Sequence, residues 1–235
     1  MGSRGRLSST NPRRLVLFGD GLFAEVAHEY FTRQSPYQVA GFTVTAEFLH
    51  KDRYHGLPVV PFEEVTRHFP PESHDMFIAV TFGQLNRHRQ RFYAEAKQLG
   101  YTLASFVSPH ALVWPGVTPG DNSFIFEQNV IQPFVTLGSN LILWSGNHIG
   151  HHAAIESHCF LASHVVVSGS VRIGESCFLG VNSTVAHNVR IGRDCLIGAG
   201  AFVIKDLPRG TIVKGLASLP EPLSTYDKFG LDAKD

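Results

Sequence analysis

Between Trp144 and His164 (WSGNHIGHHAAIESHCFLASH) the chain carries five of its thirteen histidines: His148, His151, His152, His158 and His164. Imidazole is the side chain whose unperturbed pKa lies nearest neutral pH, which suits it to accepting and returning a proton during a reaction. Cys159, Cys177 and Cys195 offer a second possible chemistry, but each lies eighteen residues from the next and no ligand set accompanies them. That interval matches a structural period better than a zinc or thiol site.

The elements that must position the histidines are legible from the same interval. Counting in sixes from Val107 to Val203 lands on a branched aliphatic every time except at Pro119. An α-helix repeats its apolar face every 3.6 residues and a plain strand every two, so a sixfold beat fits neither. It fits a parallel β-helix of short strands, each turning an inward aliphatic into the core and then rounding a corner. Three hexads close one triangular coil of eighteen residues, which gives between five and six coils. The position four after each aliphatic, from Ala153 through Cys159, Cys177, Ser183 and Cys195 to Ala201, is expected inside as well. The cysteines then form a core ladder roughly 4.8 Å apart, the ordinary interstrand spacing. Because the interior is filled, chemistry belongs outside. His151, two after Ile149, is expected at a corner, with His152 beside it and His148 pointing outward from the strand.

Before the repeat, Arg14 to Phe18 (RLVLF) reads as a strand, Gly19-Asp20-Gly21 as a turn, and Leu22 to Arg33 as a helix. Such a turn at a helix start can hold a phosphate. The third glycine of a dinucleotide fingerprint is absent, with Ala24 in its place. Further strands are expected at Tyr37 to Val44, Leu57 to Val60, Met76 to Val80 and Leu103 to Val107, with helices near Glu63 to Arg67 and from Arg87 to Leu99. This alternation predicts a small parallel α/β domain over residues 13–106, a β-helix over 107–215, a disordered tail over 1–12 and a C-terminal tail over 216–235. The charge balance is zero and no basic block exceeds a few residues, so nucleic acid is not an expected partner. No apolar run approaches the roughly 20 residues that span a bilayer, so neither is a membrane, and the expected location is the cytoplasm.

Ile149-Gly150-His151-His152-Ala153, Val171-Arg172-Ile173-Gly174, Cys177 to Ser183 (CFLGVNS) and Ile197-Gly198-Ala199-Gly200-Ala201 resemble the left-handed β-helix sugar acyltransferases. The likeness is greatest to the sialic acid O-acetyltransferase type that modifies bacterial surface sugars. The resemblance extends over nearly the whole chain after residue 13. It implies an all-β left-handed β-helix that forms a homotrimer, acetyl-CoA as co-substrate in the groove between two prisms, no metal, and a nucleotide-linked sugar held by the α/β domain for surface polysaccharide such as O-antigen. By position in relatives that N-acetylate nucleotide-linked amino sugars, it implies His151 as general base. Gly169, Gly180, Val181 and Ala199 would contact CoA, with Lys205 and Lys214 near its phosphates. Gly19, Asp20, Gly21, Phe23 and His148 would meet the sugar nucleotide. Those relatives place an acid directly after the histidine. Here His152 stands there, which leaves Glu156 or an acid of another chain to orient the base. The acid expected after Gly41-Phe42 is absent, and the closing Pro-Ala is replaced by Gly215-Leu216-Ala217-Ser218.

N-transfer is the expectation, since a sugar still tethered to its nucleotide is a biosynthetic precursor; O-transfer is the alternative. Two other classes use the same prism. A γ-type carbonic anhydrase would bind zinc through His151 and His187, two coils apart. A non-catalytic trimeric scaffold would bind the sugar nucleotide without acylating it.

Overall fold

The computed structural model describes residues 13–215, 217, 220 and 222–232, so the expected disordered tail, 1–12, lies outside the described residues. The N-terminal unit runs β1 (Arg14–Phe18), α1 (Leu22–Gln34), β2 (Gln38–Val44), β3 (Arg53–Tyr54), β4 (Leu57–Pro61), α2 (Val65–His68), β5 (His74–Ile78) and α3 (Arg87–Gln98). Its sheet has the order β3-β4-β2-β1-β5. The strands pair in parallel except at the edge, where Arg53 and Tyr54 fold back on Pro58 and Leu57. That antiparallel hairpin breaks the expected all-parallel pattern; its two-residue strand is too short to show an apolar period.

Alternation along β1 decides what lies on either side of the sheet. Leu15 and Leu17 pack with Phe23 and Phe31 of α1 and with Phe106 and Phe124 of the repeat. Val16 and Phe18 pack with Val65, Phe69 and Ala96 on the other side. The strand expected at Leu103 to Val107 is divided between the two units. Leu103 makes only an isolated bridge to Met76, whereas Phe106–Val107 is already the first strand of the prism.

The repeat folds into a three-faced parallel prism with sheets of seven, six and four strands. The first face runs from Phe106–Val107 to Ile212–Val213, the second from Leu112–Val113 to Phe202–Val203, and the third from Thr136–Leu137 to Arg190–Ile191. Neighbouring strands pair eighteen residues apart, as in Phe160↔Phe178 and His148↔Val166. At the end the offset falls to sixteen, Leu196↔Ile212, because the corner between Val203 and Leu207 is two residues short. Ile125, Ile131, Leu143, Ile149, Leu161, Val167, Leu179, Val185 and Ile197 are fully buried, as are all three cysteines, which are free thiols. Val113 and Leu137 are only partly buried, and Val107 is 38 % exposed. It caps the first coil, and its strand buries Phe106 toward α1 instead.

The third residue after each aliphatic has a positive φ at nearly every corner, including Asn122, Asn140, His152, His158, His164, Asn182, Asn188 and Asp194. L-residues occupy this left-handed region sparingly, and Asn, Asp and His are among the enriched types. The histidine-rich stretch is thereby partly a corner requirement.

Two devices join the units. Outward residues of the first face form an aromatic ladder, with Phe124 meeting Phe23 at 5.7 Å and Phe178 meeting Phe82 at 4.9 Å between ring centroids. At the corner between the third and first faces, the fully buried guanidinium of Arg89 donates to Thr81 O at 2.8 Å, His158 O at 3.0 Å and Cys159 O and Asn140 Oδ1 at 3.2 Å. Burial pulls its pKa down to about 9, which still leaves it cationic at neutral pH. Beside it Asn122 accepts from the Ile78 N–H at 2.8 Å, Asn86 donates to Cys177 O at 3.2 Å, and Arg87 pairs with Asp194. Replacing Arg89 by Met keeps the apolar bulk but strands several buried carbonyls. Unsatisfied acceptors of this kind make a loss of about 3 kcal/mol the expectation. At this chain length that lowers Tm by about 6 to 12 °C, measurable by calorimetry.

Candidate active site

The carboxyl ends of β1, β2 and β5 open into a cavity of about 490 Å³ lined by Gly19, Asp20, Gly21 and Phe23 together with Thr45, Phe48, Ala79, Val80, Thr81 and Phe92. β1 has β2 on one side and β5 on the other, so the chain reverses direction across the sheet here, the usual place for a ligand in an open α/β sheet. Gly19, with φ +117°, sits so close to the next strand end that a Cβ would stand 3.0 Å from Ala79 O. Asp20 pairs with Lys51 at 3.2 Å, and that ammonium lies 3.8 Å over the Tyr54 ring. The expected Gly19, Asp20, Gly21 and Phe23 therefore share one cavity. The sequence reading missed the rest of the lining because Thr45, Phe48, Ala79 to Thr81 and Phe92 come from separate segments, and only the strand order brings them together.

The five histidines do not form one cluster. Six residues carry the chain through a third of a coil, so His151 and His152 lie at the corner between the second and third faces, His158 at the next corner and His164 at the one after. His148 is a half-buried outward residue of the second face, paired with Val130 and Val166. His158 belongs to the domain junction: Asn140 Nδ2 donates to its Nδ1 at 2.8 Å, and burial and then the neighbouring Arg89 lower its pKa. Trp144, stacked on Phe126 at 4.4 Å, belongs there too.

His151 is exposed and held on several sides. Its backbone N–H donates to Gln132 Oε1 at 2.8 Å, and its Nδ1 lies 3.0 Å from Nδ1 of His152. The ring covers Gly169 on the next coil, where a Cβ would stand 2.7 Å from its Cε1 and 2.8 Å from its Nε2. Beyond Gly169 at the same corner is His187, with ring centroids 6.2 Å apart. Nε2 therefore occupies a slot floored by glycine, while His152, tilted against Phe134 at 4.7 Å, supports the other nitrogen. Glu156 lies past the following strand, where its carboxylate accepts from the Glu175 N–H at 3.1 Å. Within one chain the partner of His151 is thus His152.

The expected CoA contacts divide between two corners. Gly169 and Lys205 share the corner of His151, whereas Gly180, Val181, Ala199 and Lys214 follow strands of the first face and stand at the corner between the first and second faces. Within one chain, no group of three His, Cys, Asp or Glu side chains among the described residues is placed to hold a metal ion.

The bacterial transferase hexapeptide model, six repeats, matches residues 170–205. The chain carries that repeat. Among solved structures it is similar to a histidine-to-asparagine variant of perosamine N-acetyltransferase from Caulobacter crescentus in complex with CoA and GDP-perosamine. Identity is 27 %, coverage 86 % of this chain and 93 % of that one, and the TM-score 0.77. The acetyltransferase domain of PglB from Neisseria gonorrhoeae is 24 % identical, covers 86 % of this chain and 97 % of its own, and has a TM-score of 0.77. WeeI from Acinetobacter baumannii is 17 % identical over 86 % of this chain and 96 % of its own, with a TM-score of 0.76. No curated protein matches the sequence. The architecture is that of the hexapeptide-repeat sugar acetyltransferases, with the left-handed prism and the α/β unit both present. The matches reach this coarser class and do not single out the sialic acid type.

The contact between Gly169 and the His151 ring gives a direct test. Gly169→Ala forces the ring out of its slot, while the fold can yield because the far end of a side chain is what moves. Misplacing a reacting group by about 1 Å can cost about 100-fold. Acetyl-CoA turnover should fall by that order, with Tm unchanged.

Proposed function

We propose that the protein transfers an acetyl group from acetyl-CoA to the amino group of a nucleotide-linked sugar, with His151 as general base. The observation that carries the reading is the Nε2 face of His151, floored by Gly169 on a hexapeptide prism whose α/β unit offers a cavity at its strand ends. The perosamine enzyme, similar over most of this chain, was solved with CoA and a GDP-linked sugar. In the reaction the sugar amine attacks the thioester carbonyl and His151 Nε2 takes its proton. The tetrahedral intermediate then collapses, the carbon–sulfur bond breaks, and CoA leaves as thiolate and is protonated. The products are an N-acetyl sugar nucleotide and free CoA.

Topology bears on how many chains the site needs. The α/β unit covers the first face, and the corner of His151 is the vertex of the triangle opposite that face. A sugar nucleotide in the cavity of one chain thus has the filled prism between itself and its own His151. The two sets of residues proposed for CoA also sit at different corners of one prism. Both observations support a cleft formed between chains, with the cavity of one facing His151 of another, and a closed homotrimer supplies three such clefts.

Free-thiol release from acetyl-CoA should appear with one or more nucleotide-linked amino sugars and not with their hydroxyl counterparts. His151→Ala should reduce it about 100-fold or more, the usual scale for a lost general base. No release with any sugar would favour the scaffold reading. A mixing experiment tests the shared cleft. Gly21 lines the cavity, and a Cβ there meets nothing within 4 Å, so Gly21→Trp fills the cavity without disturbing the fold. Co-expressed with His151→Ala, it should restore turnover that neither inactive variant shows alone. No restoration in verified mixed trimers would mean that each chain completes its own site.

A further inference from the structure

The pair at the base's corner has a property that an imidazole beside a carboxylate lacks. Nδ1 of His151 and Nδ1 of His152 are 3.0 Å apart, and a hydrogen bond between them needs one proton and one lone pair. Three protonation states follow. With both rings neutral, His151 can donate from Nδ1 to His152, leaving its own Nε2 unprotonated over Gly169. With one proton added to His152, that ring becomes the donor. His151 must then accept at Nδ1 and carry its hydrogen on Nε2, which removes the lone pair a base requires. With both rings protonated, the bond is lost.

We infer that His152 is a positioning residue that fixes the tautomer of His151, and that the site is active only when both imidazoles are neutral. This deepens the acetyl-transfer reading and rests on it for its kinetic test. The groups facing the pair are few. Gln132 holds the His151 backbone, Phe134 lies against His152, and His187 is the titratable ring across Gly169. No carboxylate hydrogen-bonds either ring among the described residues. The local backbone suits the arrangement, since His152 has φ +60° and the same left-handed position holds Asn182, Asn188 and Asp194 in later coils. Asn Oδ1 and His Nδ1 hang from equivalent Cγ atoms. Asn at 152 therefore presents an acceptor where the ring nitrogen was, and it does not titrate.

The decisive measurement is the acid limb of kcat/KM for full-length wild type and His152→Asn, with the same acceptor. Protons must leave both histidines in wild type but only His151 in the variant. The limb should be steeper in wild type by one unit of log rate per pH unit. An acceptor amine adds its own proton to both proteins equally, so the difference is what counts. Equal slopes would overturn the inference while leaving acetyl transfer intact. His152→Ala checks that the lone pair matters: it should lose turnover about 10-fold or more, and Asn should restore most of it. If no sugar supports turnover, nitrogen NMR of histidine-labelled protein still decides the matter. Above pH 8 His151 should be protonated at Nδ1 and bare at Nε2, and the opposite tautomer, or a mixture unchanged by His152→Asn, would refute the inference.

Discussion

A single buried guanidinium fixes the geometry on which everything else relies. Arg89 reaches from α3 to the carbonyl of Thr81, in the wall of the strand-end cavity, and to the carbonyls of His158 and Cys159, in successive positions of one prism coil. Its hydrogen-bond partners among the described residues are carbonyl and amide oxygens rather than a carboxylate, so the charge is spread over fixed dipoles. Loss of one partner leaves either a buried cation or buried acceptors unsatisfied, and both are expensive. Cavity and prism are therefore held in one fixed relation.

That rigidity interacts with the triangular cross-section. The α/β unit needs an apolar face to sit on, and the aromatic residues recurring at Phe106, Phe124, Phe160 and Phe178 make the first face that surface. Once one face is covered, the opposite corner is left for chemistry. A hexapeptide prism has no cleft of its own, because its interior is filled and its faces are flat. The division of labour between chains that we propose follows from the packing of the first face as much as from any property of the reacting groups.

Much of this was legible in advance, and the reasons for success and failure are physical. A filled core allows one aliphatic per hexad, so the period could be counted directly, and β1 with its glycine turn followed from an apolar run broken by Gly19. His151 was placed at its corner because corners are counted along with cores. Arg89 was not found, since a buried arginine in the helix stretch RHRQRFYAEAKQ looks like any solvated charge until a second unit covers it. The five histidines are dense in the sequence but not in space, because a chain turning every six residues spreads them over three corners and one face. The recurrence of Phe106, Phe124, Phe160 and Phe178 on an eighteen-residue beat, with Ile142 at the one intervening position and each one place before a hexad aliphatic, was the available sign of an occupied face.

The corner backbone also limits which residue can stand behind His151. The position after His151 is held left-handed by the turn, where a β-branched or bulky residue is strained and Asn, Asp and His are comparatively at ease. All three carry a hydrogen-bond acceptor on the atom beyond Cγ, and each can therefore receive the Nδ1 proton of His151. They differ in what happens as acid is added: Asn keeps its acceptor, whereas Asp and His can each take up a proton there and lose it. In the arrangement we propose, choosing His leaves the corner backbone unchanged and makes the acceptor behind His151 one that can itself take up a proton.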